Sequence, residues 1–501
     1  MHFPSHALAI GFRRRNLGCG INYRHHATQK RRCCDVLMTL LSQHAAYNIH
    51  KSGWALRKVG LQSVQEFVGA ISRGRMTKVT VRRPITGVLW LSLVCDVRSV
   101  AHAQQGGADL ATQLMQQPTT AAAVRMADGL EPWVLEQQVA VCEVPAPPFA
   151  ESARGEVYRQ AFMRLGLRNV RVDAVGNVIG ERPGSAASPH LVFSAHLDTV
   201  FPEGTPVNVS RKGRQLHGPG ITDDCRGLAV LLGVIRALQD ARVSTPGRIT
   251  FVGTVGEEGL GDLRGVKHLF GPSGLQPIDR FVSVDGAGLE IRNGGVGSKR
   301  YRATFKGPGG HSYGAFGMPN PLHAMGRAIA AIAAFEVPST PKTTFNVGRV
   351  GGGTSVNSIP SEVWMEVDVR SEDASSLAEL DARLRKAVER AVAAENSRWT
   401  HASSVTLELA LVGDRPAGRT PDTSDIVKAA RSVLQTLGLP AVLTTSSTDS
   451  NVPMARSIPA ITIGGGGVGH DTHSLSESFD PAGGADGLRQ AILLAVALSQ
   501  P

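Results

Sequence analysis

The stretch that decides the fold runs from Leu191 to Asp224, LVFSAHLDTVFPEGTPVNVSRKGRQLHGPGITDD. Its apolar run ends in His196-Leu197-Asp198 and reads as a buried strand. Such a strand brings an imidazole and, two residues on, a carboxylate to the carboxyl edge of a sheet, where α/β proteins place their sites. The pair suits a metal, with His196 as ligand and Asp198 as the acceptor that fixes its tautomer. A Gly-Pro-Gly turn then leads into Asp223-Asp224, which open an apolar helix from Leu228 to Leu238. The next strand, Ile249 to Val255, is followed by the adjacent acids Glu257 and Glu258. Two neighbouring carboxylates repel and resist desolvation unless a cation binds one while the other takes up protons.

Taken singly, a His-x-Asp is most often a satisfied histidine and an acidic pair a solvated face. The order is more telling: His-x-Asp, then Gly-x-x-Asp-Asp-x-x-Gly about 25 residues later, then Glu-Glu after the following strand. In this order, from roughly Thr120 to the C-terminus, the sequence resembles the M20 family of metallopeptidases. These are di-zinc hydrolases that include glutamate carboxypeptidase, acetylornithine deacetylase and peptidase T. The resemblance implies that one zinc takes His196 and Asp285, that the other takes Glu258 and His473, and that Asp223 bridges them. Adjacent acids cannot be told apart by sequence, so Asp224 stands as the alternative bridge. Glu257, left unligated, is implied as the general base that takes a proton from the attacking water and passes it to the leaving amine. Oxygen and imidazole donors without a metal-spaced cysteine suit Zn²⁺, with Co²⁺ or Mn²⁺ possible.

Around this core the chain of 501 residues allows two or three domains. Its formal charge of +11 suggests nucleic acid at first sight, but residues 1–103 hold 16 Lys and Arg against 3 Asp and Glu. The remaining 37 basic and 39 acidic residues nearly cancel, so no nucleic-acid partner is expected. Met76 opens a positive segment, the apolar run Ile85 to Cys95 follows, and Ala101-His102-Ala103 closes the layout of a secretory signal. An apolar run of 11 residues is too short to span a bilayer, which takes about 20. Val94-Cys95 lacks the small residue of a lipoprotein site. The expected product is therefore periplasmic or secreted, without a membrane anchor after cleavage, with translation starting at Met76 and residues 1–75 a non-native extension. Cleavage would leave Cys142 and Cys225, so a disulfide framework does not hold the fold, and Cys225 is expected to pack as a small apolar side chain.

The expected fold class is α/β, a zinc-peptidase-like mixed sheet flanked by helices, with an inserted ferredoxin-like domain. Residues 104–119 read as a flexible lead, 120–297 as the first part of the catalytic domain, and 413–501 as its second part. Between them, residues 298–412 alternate as βαββαβ, the split-βαβ sandwich. The resemblance makes this insert a lid and dimerisation domain, and the assembly a homodimer. Gly309-Gly310-His311-Ser312 is similar to the family histidine that reaches across that interface to steady an oxyanion. Asn357 and Arg370 look like substrate-carboxylate contacts, although Arg370 could equally pair with Asp368 or Glu372. Asp449 is read as an acid near the substrate or a turn acid, and His470 as a solvated neighbour of His473. The glycines of Gly464 to Gly469 are expected to let backbone approach the substrate, since no P-loop Lys-Ser/Thr follows. The implied substrate is a small peptide, with an N-acyl amino acid as the alternative and a non-catalytic binding module as the outlying one.

Overall fold

The computed structural model describes residues 109–501, save residue 276. The upstream stretch 1–75, the leader expected at 76–103 and residues 104–108 lie outside the described residues.

Leu191, Phe193 and Ala195 face one apolar cluster while Val192 faces another, and that two-sided burial makes the run continuous rather than alternating. The strand His190–His196 pairs in parallel with Arg248–Thr254 on one side and Arg280–Val284 on the other. Ala460–Ile463 extends the parallel set beyond Arg280–Val284. Antiparallel partners, Arg168–Val172 and Val178–Arg182 at one edge and Ile291–Gly295 at the other, complete a nine-stranded mixed sheet with Gly418–Arg419 and Leu443–Ser446. The helix Cys225–Asp240 packs against Ala127–Cys142 and Gly484–Leu498 over one face. Leu263, Val266, Leu269 and Phe270 cover part of the other. The four parallel strands therefore present their carboxyl ends together, and the site is built there.

The insert runs from Gly297–Lys306 through Pro321–Ala333, Thr343–Gly352, Glu362–Ser371 and Ala374–Ser397 to Thr406–Arg415. Its antiparallel sheet places Gly297–Lys306 and Glu362–Ser371 at the centre, with Thr343–Gly352 and Thr406–Arg415 at the edges. Tyr301, Ala303, Phe305 and the alternate residues Val363 to Val369 bury against the two helices. The opposite face carries Arg300, Asp368 and Arg370, with Arg300 and Arg370 both hydrogen-bonded to Asp368.

Two boundaries differ from expectation. The last strand of the insert does not stop at 412: beyond an irregularity at Leu411 to Gly413 it stays paired with Gly297–Lys306 through Arg415. The glycine and charges of that stretch hide the strand because pairing, not apolar alternation, sustains it. The lead read as flexible over 104–119 is helical over Asp109–Gln116, followed by a second helix, Pro118–Arg125. Ala111 and Leu114, three residues apart on one helical face, are buried in the main core, and such packing outweighs a weak local propensity. A small sheet of Ser210–Lys212, Gln215–His217, Val468–His470 and Ser478–Asp480 was also not legible, its strands being too short for a period. Among the described residues no helix is long and apolar enough to cross a membrane.

Leu114 tests whether the leading helix belongs to the fold. Leu114→Ala should lower stability by about 2–5 kcal/mol, the usual cost of a buried leucine truncation. A urea midpoint unchanged from wild type would show that this helix is not part of the cooperative core.

Candidate metal centre

Each strand end contributes. His196 closes its strand level with Thr254, three and four residues after which come Glu257 and Glu258. Asp285 follows Val284 directly, and its N–H donates to the Ile463 carbonyl at 3.0 Å. Asp223 enters from the loop before helix Cys225–Asp240, and His473 from the segment between the two short strands Val468–His470 and Ser478–Asp480. His473 sits in the left-handed region at φ 68°, where non-glycine residues are uncommon and cluster at functional sites.

His196 Nε2 lies 2.8 Å from Asp223 Oδ1. His473 Nε2 lies 3.2 Å from Asp223 Oδ2 and 2.9 Å from Glu258 Oε1. His196, Asp223 and Asp285 offer potential ligand atoms all within 4.8 Å of one another, and so do Asp223, Glu258 and His473. Asp223 belongs to both sets. A third set, His196, Glu257 and Glu258, overlaps them. In that set Glu257 is already engaged, accepting from Arg415 Nη1 at 3.0 Å. The donors are imidazole nitrogen and carboxylate oxygen, and two three-donor sets sharing one carboxylate fit a pair of borderline divalent cations such as Zn²⁺.

The neighbouring acids face elsewhere. Asp224 Oδ1 accepts from the N–H groups of Gly227 and Gly286, and its Oδ2 from that of His196, so it caps the helix and fixes the strand end. The peptide between Asp223 and Asp224 is cis. Asp198 serves His196 through a different atom than expected. The Nδ1 of His196 lies 3.0 Å from the Asp198 backbone carbonyl, while the carboxylate is 3.7 Å away. That carboxylate instead accepts from the N–H groups of Glu257 and Glu258 at 3.0 and 2.8 Å. The Asp198 carboxylate is thus satisfied by the adjacent strand end rather than by the imidazole.

Burial and mutual charge tune these groups. Burial alone would lower the pKa of His196, but its bond to Asp223 and the charges of Asp224, Asp223 and Asp198 raise it well above the ordinary imidazole value. Bonds to Asp223 and Glu258 bring His473 up to about 10. Burial, with Asp223 nearby, raises Asp285 to about 6. Burial also pushes Glu257 well above the usual carboxylate range, against the pull of Arg415.

The cluster borders a cavity of about 1010 Å³ lined by Asp223, Glu257, Glu258, Asp285 and His473 together with Arg292, Arg300, Arg370 and Arg415. Arg370 is therefore both a partner of Asp368 and a cavity residue, joining the two readings of it. His311 and Asn357 are brought together with each other, the Ser312 N–H donating to the Asn357 carbonyl at 2.9 Å, but neither lines this cavity. His311 is exposed, as are the nearby Tyr313 and Phe316. Asp449 is buried, accepts from Thr254 Oγ1 and is raised to about 6 by that burial, but it does not line the cavity. Gly467 and Gly469 do line it, whereas Gly464 is demanded by the chain itself: a Cβ there would lie 2.3 Å from the Ala287 carbonyl. His470 is exposed and forms no part of the ligand sets. Cys225 and Cys142 are free and packed with Leu216, Ile221 and Phe479.

Sequence reasoning missed Arg415, Arg292, Arg300 and the role of Glu477. Glu477 is fully buried and accepts from the N–H groups of Gly220, Thr222 and Asp223 at 3.1, 2.8 and 3.2 Å, which holds the loop carrying Asp223. A buried acid four residues after a ligand histidine was the available signal. Arg415 carries no such signal, because the end of the strand that holds it is itself hidden by glycine and charge.

Comparison with known proteins follows the same lines. The model of the family described as Peptidase family M20/M25/M40 matches residues 192–497. A succinyl-diaminopimelate desuccinylase of Nitrosospira multiformis is 29% identical over 310 residues, 58% of this chain and 77% of that protein. Among solved structures, aminopeptidase PepT from Bacillus cereus superposes with a TM-score of 0.59 at 22% identity, covering 74% of this chain and 99% of that one. The YXEP protein of Bacillus subtilis, described as a dinuclear metal-binding peptidase, gives 0.55 at 18% identity, covering 74% and 98%.

Metal binding here must displace protons. With His196 raised and His473 at about 10, both imidazoles hold a proton at neutral pH that a cation has to remove. Apparent metal affinity should therefore rise with pH, and loading at pH 7 should release on the order of two protons. Calorimetry in buffers of differing ionisation enthalpy measures that number; proton-neutral binding would contradict the assignment of the two histidines.

Proposed function

Because the chain belongs to peptidase family M20/M25/M40, hydrolases of peptide or amide bonds, we propose that it is an exported two-zinc exopeptidase acting on small peptides that end in a carboxylate. The observation that carries this reading is the sharing of Asp223 between two potential ligand sets beside Glu257, whose Oε1 is engaged by Arg415. His196 and Asp285 would hold one cation, Glu258 and His473 the other, with Asp223 between them. When bound, such a pair polarises the scissile carbonyl and acidifies the attacking water.

Glu257 moves the proton. Arg415 holds Oε1, the Glu257 N–H is fixed by Asp198, and burial raises the pKa of the carboxyl well above the usual carboxylate range, which favours its taking up a proton. Arg370, oriented by Asp368, would receive the substrate carboxylate through its planar fork. His311 and Asn357 do not line the cavity of their own chain. In the proposed homodimer the insert acts as a lid, and its His311 serves the partner's site. The edge strand Thr343–Gly352, paired on one side only, supports that interface. Export rests on the leader at 76–103, outside the described residues. The desuccinylase relative favours a second reading, removal of an acyl group from an N-acyl amino acid by the same residues.

Two experiments test this reading. Glu257→Gln should reduce hydrolysis of dipeptides and N-acyl amino acids by about 10²–10⁴-fold while two cations still bind, the range expected for loss of a general base. Retention of the wild-type rate would remove Glu257 from the mechanism. Mixing Glu257→Gln with His311→Ala protein should restore part of the activity that each lacks, because a mixed dimer has one complete site. No restoration after subunit exchange would count against sharing of His311.

A further inference from the structure

Two thiols that the cluster does not use meet beside the loop that carries Asp223. Cys142 is the last residue of the helix Ala127–Cys142, and Cys225 is the first of the helix Cys225–Asp240. They are the cysteines among the described residues, both free and both fully buried. They share one small cluster with Leu216, Ile221 and Phe479, and their side chains are hydrogen-bonded to each other. The elements that carry them fix this approach. Gln138, one turn before Cys142, donates from Nε2 to the Ile221 carbonyl at 2.7 Å, and Cys142 Sγ lies 3.5 Å from the Pro219 carbonyl. The helix that ends in Cys142 is therefore registered on the loop 218–224, which brings Asp223 into both potential ligand sets and runs directly into Cys225. Small apolar side chains would fill the same space. Two thiols in contact can do more, since they can exchange two S–H bonds for one S–S bond.

We propose that Cys142 and Cys225 form a disulfide that staples the Asp223 loop to the helix Ala127–Cys142. The oxidant is an organic disulfide such as oxidised glutathione. The thiolate of one cysteine attacks a sulfur of the oxidant, its S–S bond breaks, and one oxidant thiol leaves. The second cysteine then displaces the other oxidant thiol from the mixed disulfide. Two protein thiols are oxidised, one S–S bond is formed, and their two protons end on the two thiols of the reduced oxidant. Because both sulfurs are sealed from solvent in the folded chain, exchange proceeds through local opening of the loop. The ring so closed, residues 142–225, contains His196, Asp198 and Asp223, and closing it restrains the unfolded chain. This proposal does not rest on the peptidase reading and survives its failure.

The test uses the native, zinc-loaded full chain, held with oxidised glutathione in urea just below the unfolding transition. Remaining thiols are then blocked with N-ethylmaleimide and the protein is digested without reduction for mass spectrometry. The expected result is a peptide pair joining Cys142 to Cys225, split by dithiothreitol, and a urea midpoint higher in the oxidised than in the reduced protein. Cys142→Ser and Cys225→Ser should each abolish that difference in midpoint. They separate this bond from any formed by the upstream Cys19, Cys33, Cys34 and Cys95. Recovery of Cys142 and Cys225 as maleimide adducts, or as mixed disulfides with glutathione, would overturn the proposal. So would a linked pair with no rise in midpoint, because the bond would then not act as a staple. The peptide map and the two midpoints need only the wild-type chain, so they decide the question even where a serine variant does not fold.

Discussion

Three buried carboxylates that do not face the cluster hold in place those that do. Asp198 takes the N–H groups of Glu257 and Glu258, Asp224 those of His196, Gly227 and Gly286, and Glu477 those of Gly220, Thr222 and Asp223. Burying a carboxylate is costly unless its oxygens are satisfied, and backbone amides satisfy them without adding another charge. Because those amides belong to the ligand residues or their neighbours, each buried acid fixes the backbone from which a ligand projects. The cluster is thus an outcome of main-chain hydrogen bonding at four strand ends, and its side chains need little freedom to reach one another.

A cluster held this way is acidic, and arginines line the same cavity. Arg300 and Arg370 come from the insert and Arg292 from the sheet edge, while the acids come from the strand ends and the two loops. Of these arginines, Arg292 bonds to a residue of the potential ligand sets, and it does so through the backbone carbonyl of Asp285.

The same separation explains what the sequence discloses. His196, Asp223, Glu258, Asp285 and His473 are legible because each follows an apolar strand or a glycine turn at a spacing set by local geometry, and structure brings all five together. The inserted sandwich is legible because its period changes to two. Arg292 and Arg415 carry no local mark: what singles them out is the sheet on which they lie and the partner they meet, and both are tertiary facts. The helix Asp109–Gln116 was hidden for a related reason, since Ala111 and Leu114 declare themselves only against the helices they cover. Asp198 was placed correctly as a neighbour of His196, yet its bonding atom depends on a chain turn that spacing does not encode.

Arg415 gives the insert a part in the chemistry beyond covering the cavity. It ends the last strand of the insert, is nearly inaccessible to solvent, and bonds to both the side chain and the backbone carbonyl of Glu257. Arg300 bonds to the Gly259 carbonyl, and the Asp414 N–H to Asp262, so three contacts tie the insert to the loop that carries Glu257. Burial by itself drives Glu257 toward its protonated form, and the nearby Glu258 pushes the same way; Arg415 opposes both. The insert therefore supplies the counter-charge that opposes burial at Glu257.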